Sequence, residues 1–398
     1  MTQSKYHLLF LFILSIQSCV DEISIENNTK FKSALVVEAT ITNEEKIQEI
    51  LLTRTYGLND EGPSSESDAI VKIIDADGFE YDFEETSPGK YKSLEVFAAQ
   101  PNIDYNIAII TKNGRIYSSK TVQLTHPTEI DELFFERNFN ENGVEGVSLF
   151  LNTFDPTSSS NYYRFKYEET YKIIAPLWTS LDLIDFSVNP PTEPVDEQYG
   201  FIPRSIDELI CYKTNMSNSI IIADTKNLVE DRLDNFRVLF LNRNNYIISS
   251  RYSILVSQYV QSAQAYTYYQ TLNDISESDN ILSETQPGLL SGNLFSVSDE
   301  EENVIGFFEV VAADTKRVYF NYDDLFPDDA LPPYAIQCRD FYAPTFTELP
   351  DVLASGQYKY YLNNDEPEDF EGPYFLVPGP CGDCTYYGNS TPPIWWED

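Results

Sequence analysis

Four of the five cysteines, Cys211, Cys338, Cys381 and Cys384, could do chemistry together, and the last two form the C-x-x-C Cys381-Gly382-Asp383-Cys384. A redox C-x-x-C sits at a helix N-terminus, whose dipole lowers a thiol pKa. This one follows the Pro/Gly-rich "LVPGP" with no helical pattern behind it, which speaks against redox catalysis. A four-thiolate zinc site has suitable ligands, but thiolates compete poorly with oxidation outside a cell. Structural disulfides fit best, and four cysteines leave more than one pairing open. Long-range links from the tail to Cys211 or Cys338 are favoured over a bridge inside the C-x-x-C, which would staple only a tiny loop.

The other reactive types are sparse. Beyond the N-terminal leader there is one histidine, His126, placed before Pro127 where two regions meet. A linker role is the default there. Neither G-x-S-x-G nor H-E-x-x-H occurs, so histidine triads and histidine-rich metal centres have no basis. Two acidic stretches, "NYDDLFPDDA" (Asp323, Asp324, Asp328, Asp329) and "NNDEPEDFEG" (Asp365, Glu366, Glu368, Asp369, Glu371), are rich in the oxygen ligands that calcium takes. Neither has EF-hand spacing, and solvated loops are the expected reading. No metal and no cofactor is expected. Carboxylate-pair glycosidase chemistry needs only two acids, and nothing in the sequence pairs any two.

The segments that carry these residues begin with a leader. Lys5 supplies a positive start, "LLFLFILSI" (Leu8 to Ile16) an apolar run, and Gln17-Ser18 a short polar end. The run is about half of the roughly 20 residues that span a bilayer. It stops at Cys19, and "LSIQSC" resembles the lipobox of bacterial lipoproteins, in which the cysteine becomes the lipidated first residue. Residues 1–18 are therefore expected to be a lipoprotein signal peptide and Cys19 the lipidation site. Setting Cys19 aside leaves an even cysteine set, as an oxidising compartment favours. Asp21 and Glu22 follow directly. Acids there resemble the surface-export signal of Bacteroidota lipoproteins, and residues 19–33 read as a polar tether.

Composition narrows the function classes. Of 398 residues, 26 are basic and 64 acidic, giving −38, or −39 once Lys5 leaves with the leader. Nucleic acid, whose binding needs basic neutralisation of phosphates, is excluded as a partner. So is lying flat on an anionic membrane. The plain reading of the charge is solubility and self-repulsion outside the cell. Tyr (28) and Phe (25) are abundant and Met (2) is scarce, which leans toward strands.

Turn signals organise residues 34–127. "ALVVEATIT" and "IQEILLTRTYG" read as strands, and hairpins turn at Asp77-Gly78 and Asn113-Gly114. The spacing predicts an immunoglobulin-like β-sandwich. Residues 128–398 read as a second, larger, mostly β domain with a disulfide-linked C-terminal tail. Its strands include "GVSLFLNTFD", "NYYRFKYEETYKIIA", "RVLFLN", "VIGFFEVVAA" and "KRVYFNY". "SAQAYTYYQTLNDI" is the one short helix, capped by Ser262 with Tyr266, Tyr269 and Leu272 near one face. Five prolines mark 176–205 as an irregular excursion.

"CVDE", "ALVVEATIT", "ELICYKT", "RYSILVSQYVQSAQAYTYYQTL", "QPGLLSGNLFSV", "VIGFFEVVAADTKRVYF", the closing "CGDC" and Trp395-Trp396 occur in this order. Together they resemble the Bacteroidota lipoprotein family known as domain of unknown function 4249. The resemblance implies an outer-membrane lipoprotein facing the cell exterior. It also implies company: such proteins are typically encoded beside TonB-dependent outer-membrane transporters. The expectation is a protein that acts by binding, not an enzyme, accessory to such a transporter. Two rivals stand beside it. A carboxylate-dependent glycoside hydrolase would show a cleft with paired acids, and a structural or adhesive envelope protein would self-associate. Mass spectrometry of the mature N-terminus should find an acylated Cys19. An unlipidated terminus beginning elsewhere would remove the anchor and the location together.

Overall fold

A computed structural model describes residues 33–57, 60–185, 199–277, 290 and 292–397. Cys19, Asp21, Glu22 and nearly all of the tether lie outside the described residues, as do Pro190, Pro191 and Pro194. The fold is mainly β. Four α-helices appear among the described residues: the expected one at Ala263–Glu277, and shorter ones at Tyr322–Leu325, Leu349–Ser355 and Gly379–Gly382.

In the first region, alternation sets the strands. Leu35, Val37, Ala39 and Ile41 of strand Leu35–Thr42 point into the core, while the intervening residues up to Thr40 face outward. Both expected hairpins form: Ile70–Asp75 with Glu80–Ser87, and Asp104–Ile110 with Ile116–Ser119. Gly78 and Gly114 each take φ 81°, the left-handed conformation that such turns demand. The strands expected to make an immunoglobulin-like pair of sheets instead all join one hydrogen-bonded sheet of eleven strands. Its order is Leu294–Ser296, Ile116–Ser119, Asp104–Ile110, Ile70–Asp75, Glu80–Ser87, Lys90–Ser93, Glu49–Arg54, Leu35–Thr42, Val304–Val311. Ser64–Ser65 and Val122–Gln123 pair on the side.

Two of those strands come from far beyond residue 127. Val304–Val311 pairs in parallel with Leu35–Thr42 along its whole length. Its residues are almost all buried, as a strand covered on both faces requires. The sheet curls until its two ends meet. The Asn293 side chain donates to Phe308 O (2.8 Å) and accepts from Phe308 N (2.8 Å), so a side-chain amide replaces a strand pairing. The approach is close enough to need glycine at 292, where a Cβ would lie 1.8 Å from Gly306 O. Gly306 (φ +133°) is needed within its own ladder, where a Cβ would lie 2.1 Å from Val37 O.

The second region is a sandwich. One sheet holds Ile130–Phe139, Glu145–Asp155 and Asp231–Asn242. The other holds Ile210–Met216, Tyr162–Ile174, Arg251–Val260 and Ala313–Asn321, with Ile221–Asp224 beside the start of Tyr162–Ile174. Leu149, Leu151, Phe165, Ile254 and Val256 meet between them. Ile130–Phe139 carried no clear strand signal. A bulge at Ile130/Glu132 breaks its alternation.

Residues 176–205, expected to be irregular, supply both arms of a hairpin, Leu181–Asp185 and Tyr199–Pro203. It packs with a second hairpin, Tyr358–Asn363 and Tyr374–Pro378, and with helix Leu349–Ser355 around Leu183, Tyr199, Leu349, Tyr360 and Leu376. Disulfides Cys211–Cys384 and Cys338–Cys381 tie this unit together and to the sandwich, and no bond closes within the C-x-x-C. They span 173 and 43 residues, and each is worth roughly 2–4 kcal/mol. No helix among the described residues is long and apolar enough to cross a membrane.

Asn293→Ala should lower stability by about 2–4 kcal/mol, because it strands a buried N–H and a buried C=O of Phe308. The urea midpoint reads this, and an unchanged midpoint would show that the sheet ends are held by something else.

Candidate functional site

One cleft lies where the two regions join. Strand Tyr162–Ile174 brings Arg164 and Lys166, two residues apart and so on one face. Strand Leu35–Thr42 brings Glu38 and Thr40 on its outward face. Thr40 is the direct register partner of Glu309 on Val304–Val311. Helix Ala263–Glu277 forms one wall. Ser262 Oγ accepts from Ala265 N (3.1 Å), and Ala265, Tyr268, Tyr269 and Leu272 repeat at helical spacing to pack on Phe307. Tyr266, expected on that face, turns instead to Tyr162 and Asp224. The cleft holds about 460 Å³, the size of a small-molecule site.

At its floor is a buried ion pair. Arg164 and Glu309 are each 3% exposed and in direct contact. Glu309 Oε1 also accepts from Thr40 Oγ1 (3.0 Å) and the Tyr269 hydroxyl (3.1 Å), and Oε2 accepts from Gln261 Nε2 (3.0 Å). The guanidinium lies over the rings of Tyr269 (4.4 Å) and Tyr259 (5.0 Å). Burial is the largest single influence and pushes the Arg164 pKa down, but the Glu309 charge and hydrogen bond together with the Tyr269 and Tyr259 hydroxyls outweigh it, and the net shift is upward. Burial, and then the Glu309 charge, push the Tyr269 hydroxyl well above the usual tyrosine range.

Lys166 differs: its side chain lines the cleft and is exposed to solvent. Desolvation first, and then the Arg164 cation, pull its pKa below the usual lysine range, while Glu309 and Glu38 pull it back.

None of the residues singled out from sequence for chemistry lines this cleft. The four cysteines are spent in the two disulfides. His126 Nδ1 lies 3.9 Å from Asp155 Oδ2 and is half-exposed. Burial raises the Asp155 pKa, but hydrogen bonds from Thr157, Ser159 and Ser160 outweigh it and bring it down to about 2. This carboxylate organises its loop. In the first acidic stretch, Asp324 caps Asn321 N (2.7 Å), and Asp329 pairs with Arg137 and Arg243 (3.3 Å each). In the second, Glu371 accepts from Asn364 (3.1 Å). Among the described residues, no three of His, Cys, Asp and Glu gather to hold a metal.

The sequence did carry a signal for the cleft. "RFK" sets two cations at alternate positions inside a strand, and Glu309 interrupts the apolar run "VIGFFEVVAA". Charges in such places are rarely buried unless paired.

Fold and site thus define a β-rich protein of two joined sheet regions with a polar cleft at the joint. The family described as Domain of unknown function (DUF4249) matches residues 20–317, and the chain belongs to it. The match takes in every wall of the cleft and ends before Cys338, "CGDC" and Trp395-Trp396. No curated protein matches the chain. Among solved structures, a cycloalternan-degrading enzyme from Trueperella pyogenes aligns at 12% identity and a TM-score of 0.17, over 70% of this chain and 31% of that one. The same enzyme with isomaltose aligns at 14% identity and a TM-score of 0.17, with the same coverage. The chain therefore spans about a third of that enzyme's length, and so low a TM-score carries no argument.

Glu309→Ala should cost about 3–5 kcal/mol, because it leaves Arg164 buried and unpaired. Arg164→Met combined with Glu309→Leu should recover most of that loss. Denaturant midpoints of the single and double variants decide it. Equal losses in both would mean that packing, not charge pairing, holds the joint.

Proposed function

We propose that this protein is an outer-membrane lipoprotein, anchored through Cys19 and facing the cell exterior, that acts by binding at the joint cleft as accessory to a TonB-dependent transporter. The observation that carries binding over catalysis is the state of Glu309. Glu309, beneath the cleft, is engaged by Arg164, Thr40, Tyr269 and Gln261 at once, which leaves Glu38 as the single carboxylate lining the cleft among the described residues. Paired-acid glycoside chemistry needs two carboxylates facing the substrate. The leader supports the anchor, and the resemblance to Bacteroidota lipoproteins supports the transporter. The tether is short: about 14 residues reach roughly 50 Å when extended. A fold so tethered stays within reach of a neighbouring transporter's mouth. Its charge of −39 disfavours loose attraction to an anionic surface, so association calls for specific contacts.

The test replaces Asp21 and Glu22 with Ala in cells. Protease added outside should shave the wild type and spare the double variant. Purification in mild detergent should bring down a transporter with the wild type only. Equal shaving of both would reduce the role of "CVDE" to lipidation. Absence of any co-purifying membrane protein would remove the transporter from the reading.

A further inference from the structure

We infer that the joint cleft takes a small molecule bearing a carboxylate and an apolar body, with Lys166 as its recognition cation; this rests on the proposed binding role. Only 26 of the 398 residues are basic, against 64 acidic, yet two cations share one face of one strand here. They repel, and in the absence of ligand only part of that repulsion is compensated. Arg164 is matched by Glu309 through one terminal nitrogen, but its Nε is buried without a partner among the described residues. The Lys166 ammonium likewise has no hydrogen bond or ion pair among the described residues. Lysine serves as a point charge for an anion, and a carboxylate seated in the cleft is within its reach.

The other walls fix the rest of the ligand. Tyr268, Tyr269, Leu272 and Phe307 present rings and an aliphatic chain, and Ile221 and Ile305 add further apolar lining. These suit an apolar body, with the charged group at one end. Glu38 lines the same cleft, so a dianion is disfavoured over a single carboxylate.

The test uses the purified lipidated protein in mild detergent and two matched probes, 4-phenylbutyrate and its neutral amide, 4-phenylbutanamide. Calorimetry measures affinity. Acetic anhydride labelling, read by peptide mass spectrometry, reports on the Lys166 amine itself. The acid should bind and protect Lys166, the amide should do neither, and Lys166→Gln should weaken the acid by about tenfold or more while keeping its unfolding midpoint. If the amide binds and protects as well as the acid, or Lys166→Gln binds the acid unchanged, the carboxylate inference falls and the binding cleft stands. If neither probe binds nor protects, the ligand class and the cleft's role as a binding site fall together.

Discussion

A buried charge must be answered within reach, and the Arg164–Glu309 pair shows how far this constraint reaches into the fold. Residues 304–321 run through both sheet regions. Val304–Val311 completes the first sheet, and Ala313–Asn321 pairs with Arg251–Val260 in the second. Phe308 and Val310 face the first core, so Glu309 faces the joint. A register slip of one residue would turn the carboxylate into that core and set an apolar side chain against Arg164. Desolvation makes the pair a poor source of net stability, but it makes every misaligned arrangement much worse. The charge therefore selects the one parallel pairing that also joins the two halves.

Once that strand is fixed, the edges follow. A curled sheet with two free ends invites edge pairing with other chains. Asn293 closes the first sheet with side-chain hydrogen bonds. The sandwich uses the same device at one corner, where Asp314 accepts from Ile130 N (2.7 Å) and Lys316 donates to Asp131 O (2.8 Å). Both residues sit on the crossing strand. The tail then covers the outside: Arg317 stacks on Trp395 (3.4 Å), and Trp396 meets Tyr212 and Tyr319.

What was legible in the sequence divides along physical lines. Hairpins at Asp77-Gly78 and Asn113-Gly114 are local, since the turn residues dictate the neighbour. Strand and helix periodicity is local too, which is why Leu35–Thr42 and Ala263–Glu277 read correctly. Sheet membership is not local. "VIGFFEVVAA" reads as a strand of the second region because it lies among that region's residues, yet its partner is 269 residues away, at Thr40. The hairpin arms Leu181–Asp185 and Tyr199–Pro203 were hidden for a related reason. The prolines that mark an excursion say nothing about what its two ends pair with.

The cleft was hidden more deeply, because it is assembled from five segments that are each unremarkable alone. A search for catalytic motifs finds cysteines, a histidine and acidic runs, and the fold spends four cysteines on disulfides and several of the acids on loop caps and ion pairs. The cation left unpaired in the cleft is the lysine in "RFK". It stands out only once the strand from 304 to 311 has placed Glu309 against Arg164 rather than against it. A ligand seated there would touch Glu38 and Gly306 from one region, Lys166 and Ile221 from the other, and the helix that packs over both. Its binding energy would add to the stability of the joint by mass action. Because Lys166 lines the cleft on the strand that also carries Arg164, the proposed ligand would be coupled to the contact that holds the two regions together.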